Sequence, residues 1–279
     1  MMSASPYTFD AHDADVILRI PLQPGSDEFK DFRVHKAILS IASTLFHDMF
    51  SIPQPPQPTT GDISLPIVDI LESVEAFETF LRLIYPIEPP AISSLQLVDD
   101  LFRLAEKYMA GGVHAKLKHI LVSPSFLKDD PIWVYAIACR ANLDEAARLA
   151  VQYTFKIDLI RDIPHTRLQI MTAETYNSLL KSHTTRRAGL ISALSQGKPP
   201  LPKSSECGCG IGFYSILQRD IALAIWESPF LDRQRLDLCL SNAAYTPESK
   251  CGRKSVCRVS TQAISNYFTS ILDEIGKLG

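Results

Sequence analysis

The spacing of apolar residues changes period near His35, and that change constrains the fold more than any other feature. In Asp15-Val16-Ile17-Leu18-Arg19-Ile20 apolar positions alternate, with Val16, Leu18 and Ile20 on one face, as in a strand buried on one side. Pro21 to Gly25 is turn material, and Phe32-Arg33-Val34 begins a second strand, so a hairpin is predicted. From Lys36 to Phe50 the recurrence becomes helical, through Ala37, Ile38, Ile41, Ala42, Leu45, Phe46 and Met49. Ser40 and Ser43 interrupt it, and Ser43 is placed to cap a second short helix.

Strands and helices stay mixed for a while longer. Ile52 to Asp62 holds four prolines and reads as an extended loop, which a base-rate argument favours over a proline ligand. Ile63-Ser64-Leu65-Pro66 reads as a short strand ending at its proline. Ser73 to Tyr85 carries Val74, Phe77, Phe80, Leu81 and Ile84 on one helical face. Ser93 to Tyr108 is the clearest helix. Ser93 and Gln96 have capping-box spacing, and Leu95, Val98, Leu101, Phe102, Ala105 and Tyr108 form its stripe. Gly111-Gly112 reads as a break before a helix over 113–122.

Beyond Ser123 no strand pattern is convincing. Helices are predicted at about 131–141, 143–155 and 172–196, the first entered through Asp130-Pro131 and the second through a capping-box-like Asn142 and Glu145. Gly197 to Lys203 is a linker, and helices near 212–227, 232–244 and 259–277 follow. The reading is therefore α+β first and all-α afterwards.

Composition fits that reading. Of 279 residues 46% are apolar and 21% charged, enough for a sizeable core and against a chain disordered throughout. A net charge of −3 lacks the basic excess of a nucleic-acid binder. No apolar run approaches the length of a membrane span, and Met1 to Asp13 has no secretory pattern. The expected location is intracellular, cytoplasmic or nuclear, where thiols stay reduced.

Asp13 to Phe50, D-A-D-V-I-L-R-I … F-R-V-H-K-A-I-L-S-I-A-S-T-L-F-H-D-M-F, resembles the opening of a BTB/POZ domain. The likeness continues through Ile63 to Pro66, through Phe80 to Pro86, and ends at Ala105-Glu106-Lys107-Tyr108. It implies an N-terminal BTB/POZ fold, a small three-stranded sheet flanked by helical hairpins, followed by an all-α C-terminal region. The expected layout is a tail over 1–12, the BTB/POZ domain over 13–122, a helical extension over 123–197 and a cysteine-containing helical region over 198–279. Pro131 to Arg140 is similar to the continuation in fungal BTB-domain proteins of the basidiomycete type.

The resemblance implies protein–protein association and no catalysis. Its motif residues here are Asp15, Phe32, Val34, His35, Lys36, Leu39, Ser43, Phe46, Met49, Phe50 and Tyr85. Phe32 and Val34 anchor the second strand, and Ile38, Leu39, Leu45 and Phe46 fill the space between two short helices. His35 and Lys36 sit at the strand-to-helix turn, where Asp15 is placed to reach free backbone groups. His35 reads as a satisfied hydrogen-bonding histidine. In the family, Lys36 lies near a pocket at the dimer groove.

The implied partners are a second copy, another protein, or a cullin ubiquitin-ligase scaffold for which the chain would be a substrate adaptor. The helix that many such dimers exchange is not legible in Met1 to His12. The hydrophobic-x-Glu motif common in cullin binders is absent from Ser51-Ile52-Pro53-Gln54-Pro55.

The cysteines offer a different class of reading. Cys207-Gly208-Cys209 with Cys251 and Cys257 would supply four thiolates for a structural zinc ion, or for a metal-dependent effector. The C-x-C and C-x₅-C spacings depart from usual zinc pairs, so reduced thiols and no cofactor are favoured. His183, a substitute ligand in that scheme, is expected to be solvated on its helix. Cys139 and Cys239 sit among apolar neighbours and read as core. Asp99-Asp100 and Asp129-Asp130 read as helix-start acids, and no nucleophile, zinc-protease or phosphate-loop motif occurs.

Overall fold

A computed structural model describes residues 8–23, 27–52, 65–196 and 209–227, with isolated helical positions at 234–235, 238–239 and 266. It divides into two units, residues 1–130 with 137–146, and residues 131–136 with 147–279. The proline loop, the 197–203 linker and most of the last two expected helices lie outside the described residues.

In the first unit the expected hairpin forms from β1 (Val16–Pro21) and β2 (Phe29–Val34), antiparallel, with Val16 opposite Val34. Val16, Leu18 and Ile20 are fully buried, as their alternation requires. The third strand is not where the sequence placed it. β3 is Ile67–Asp69 and begins after Pro66 rather than ending there. Proline has no N–H to give a ladder, but the Pro66 carbonyl still accepts from the Ile17 N–H at 2.9 Å. β3 then runs parallel to β1, giving the order β2-β1-β3.

The helices α1 (Lys36–Ala42) and α2 (Thr44–Ser51) meet at Ser43, as predicted. That serine ties both helices together. Its N–H closes α1 on Leu39 O, its hydroxyl accepts from Phe46 N, and it donates to the Tyr108 carbonyl. α3 (Val74–Ile84) is capped by Ser73, whose side chain accepts from Ala76 N. Phe77, Phe80 and Leu81 from α3 meet Leu101 and Phe102 from α4 (Leu95–Lys107) in the core, all fully buried.

Three helix ends differ from the sequence reading. The cap of α4 is Ser94, whose side chain accepts from Leu97 N, and not Ser93, while Gln96 turns forward to Asp100. The glycine pair does not break a helix but opens α5 (Gly111–Leu121). The break lies earlier, at Met109, which holds φ 51°. Met109 N bonds Glu106 O and Ala110 N bonds Ala105 O, the paired bonds of a Schellman end, in the left-handed position that glycine normally fills. α6 (Pro124–Asp129) follows, a helix not predicted.

α7 (Pro131–Arg140) starts at its proline, as expected. Its end uses the same device with a better residue. Asn142 has φ 54°, and Leu143 N bonds Ala138 O, so Asn142 ends α7 rather than capping α8 (Asp144–Thr154). Asp99 is also not a helix-start acid. It is 3% exposed and takes the Arg140 guanidinium at 2.6 Å and that of Arg103 at 3.2 Å.

Every regular element described in the second unit is a helix: the start of α7, the latter part of α8, α9 (His165–Leu168), α10 (Ala173–Gln196) and α11 (Cys209–Glu227). Leu179 and Leu190 of α10 and Leu217, Ile221 and Ile225 of α11 are buried. The Arg167 guanidinium lies 4.0 Å over the Trp133 ring. His183 is not solvated. It is 2% exposed, 3.0 Å from Thr154 Oγ1 and 5.1 Å from the Phe155 ring. No helix among the described residues is long and apolar enough to cross a membrane.

Candidate protein interface

The residues singled out from sequence divide into a frame and a surface. Phe32, Val34, Leu39, Ser43, Phe46 and Tyr85 are buried and build the frame. Phe46 stacks on Tyr108 at 5.0 Å, and Tyr108 meets Phe77 and Phe80 at 5.7 and 5.5 Å. This aromatic cluster fixes the inner side of α2 against α3 and α4.

The strand-to-helix turn is closed as its residue types suggest. Asp15 Oδ1 accepts the Lys36 N–H at 2.7 Å, and the Tyr85 hydroxyl accepts the His35 N–H at 2.9 Å. Tyr85 also lies 3.2 Å from His35 Nδ1, and His35 Nε2 lies 3.2 Å from Asp13 Oδ1. Both ring nitrogens of the imidazole therefore have a partner, the hydrogen-bonded histidine expected from sequence. The same contact holds the Asp13 carboxyl below its usual range, chiefly through the hydrogen bond from His35. Ahead of β1, Phe9 packs edge-on against Phe32 and Tyr85, and its carbonyl accepts the Arg33 N–H.

The outer side of the same helices exposes three large apolar side chains. Ile41 is 89% exposed, Ile52 61% and Leu45 38%. Leu45, expected to fill the space between the two short helices, is instead exposed, and Ile41, which shares its helical spacing, is more exposed still. The signal was present. α1 has Ala37, Ile38, Leu39, Ile41 and Ala42 among its seven residues, more than one face of so short a helix can hold. Met49 and Phe50 are half-buried at the margin, where the Lys36 ammonium lies 5.8 Å over the Phe50 ring.

The metal reading falls outside what the described residues can show. Cys207, Cys251 and Cys257 lie outside them, and Cys209 begins α11 with its side chain undescribed. No group of three His, Cys, Asp or Glu among the described residues is arranged to hold a metal. Cys239 is buried and Cys139 half-buried.

No curated protein matches the chain, so the likeness of Pro131–Arg140 to fungal proteins has no relative behind it. A family model does match, over residues 14–125, and its bounds enclose the sheet, both short helices and α3 to α5. The frame, the closed turn and this match agree: the chain carries a BTB/POZ domain, a protein–protein interaction module, at residues 14–125.

Proposed function

We propose that the chain acts without catalysis, by docking a protein on the outer side of α1 and α2. One observation carries this reading. Ile41 is almost wholly exposed on a helix whose opposite side, at Leu39, is fully buried. Single exposed apolar residues are ordinary, but Ile41 and Leu45 lie on one helical pair, with Ile52 just past its end and the aromatic cluster packed beneath. A preorganised apolar surface loses less conformational entropy when covered, which lowers one of the costs of association.

Substitution separates docking from folding. Ile41→Glu alters a side chain that touches solvent, so unfolding stability should move by no more than roughly 0.5 kcal/mol. A charge in the centre of a docking surface should weaken association by about 2 kcal/mol or more. The measurement is association of the full-length chain, with itself by light scattering and with co-purifying proteins by quantitative affinity capture. A variant that folds normally and keeps every association at full strength would remove the proposal.

A further inference from the structure

The occupant of this surface has a recognisable charge. Asp48 lies three residues after Leu45 and four before Ile52, so it projects on the same outward side of α2. It is exposed and has no ion-pair partner among the described residues. A carboxylate beside the apolar anchors is desolvated when that surface is covered, and this is costly unless the partner supplies a cation. The surroundings have the same sign. Asp13 and Asp15 are exposed at the start of α1, and acidic residues outnumber lysine and arginine by 20 to 11 across the first unit.

A second copy of the same surface answers poorly. Between Lys36 and Ser51 the one lysine or arginine is Lys36. It is half-buried, and its ammonium is engaged over the Phe50 ring. A symmetric pair would bring two Asp48 carboxylates into one interface with little to neutralise them. Resting on the docking surface proposed above, we infer that its occupant is a different polypeptide, an amphipathic segment with a lysine or arginine within one turn of its apolar anchors.

Two synthetic amphipathic helices test this. They share one Leu/Ile stripe and differ only in carrying Lys or Glu one turn from it. Each is titrated, with a dye attached, into the full-length chain and followed by fluorescence anisotropy. The Lys helix should bind about ten-fold more tightly, the preference should shrink with added salt, and Asp48→Lys should reverse it. Equal binding of the two helices, binding of neither, or a preference unchanged in Asp48→Lys overturns the charge assignment. A chain that is dimeric at micromolar concentration, loses the dimer in Ile41→Glu and keeps it in Asp48→Lys also overturns it, while leaving the surface itself in place. Lys-helix binding unchanged in Ile41→Glu overturns the surface.

Discussion

Mild acid should loosen the second unit through one histidine. His183 lies 2% exposed against Phe155 and Thr154, and Arg186 and Arg187 on the same helix set two positive charges near it, with Asp158 opposing them. Burial first, then Arg187 and Arg186, push its pKa from the usual 6.5 down to about 4. The unfolded chain therefore gains a proton near pH 6.5 and the folded chain only near pH 4. Between those values unfolding takes up a proton, so stability is full above pH 6.5 and falls as pH falls. Going from pH 7 to pH 5 should cost about 2 kcal/mol, and about 3 kcal/mol by pH 4.

The assay is convenient because both tryptophans, Trp133 and Trp226, belong to this unit. Urea unfolding followed by their fluorescence at pH 7 and pH 5 reads the loss directly. Other carboxylates and histidines titrate over the same range, so the comparison is with His183→Gln. Its amide retains a donor toward Thr154 Oγ1 but takes no proton in this range. The variant should be less stable at pH 7 and should lose about 2 kcal/mol less than the parent between pH 7 and pH 5. Equal losses in the two proteins would show that His183 is not the group responsible.

Other expectations follow from single residues. Met109→Gly should stabilise the first unit by about 0.5–1 kcal/mol in thermal or urea melts, because glycine holds a left-handed φ without the side-chain penalty that Met109 bears there. Arg140→Met keeps the aliphatic packing but leaves the buried Asp99 with only the exposed Arg103, so it should cost about 3 kcal/mol, most of it recovered when Asp99→Leu is added. Gly111 and Gly112 have open space where a side chain would sit and no left-handed φ, so Gly112→Ala should raise stability by roughly 0.5–1 kcal/mol. Protein purified without added metal should carry no stoichiometric zinc, given the C-x-C and C-x₅-C spacing; one zinc per chain by elemental analysis would refute this and make Cys207, Cys209, Cys251 and Cys257 the ligands to substitute.

Local interactions were legible in the sequence, and non-local choices were not. Ser43 reads as a cap because its partner, Phe46 N, is three residues away, and the β1 face reads from alternation alone. The Ser93/Ser94 choice could not be read, since both precede the same apolar stripe and only the backbone path into α4 selects between them. Asn142 carries two meanings, helix start and left-handed helix end, and the bond from Leu143 N to Ala138 O decides for the second. Asp99 and Arg140 are 41 residues apart, and His183 finds Thr154 across 29, so neither pairing leaves a local trace. For the surface, periodicity marked Ile41 as apolar but not which way it points, because α1 offers apolar residues on more than one side.

The parallel placement of β3 has a consequence for how the chain reaches this structure. Ile17 pairs with Ile67, fifty positions further along the chain, whereas the hairpin partner of Pro21 is Phe29. The hairpin can close early, and the far edge of β1 then waits for a long loop to close before it is covered. During synthesis that edge is a row of bare amides and carbonyls beside Val16, Leu18 and Ile20, able to pair with any extended segment nearby. The vulnerable interval in the life of this protein therefore falls before residue 67 is in place.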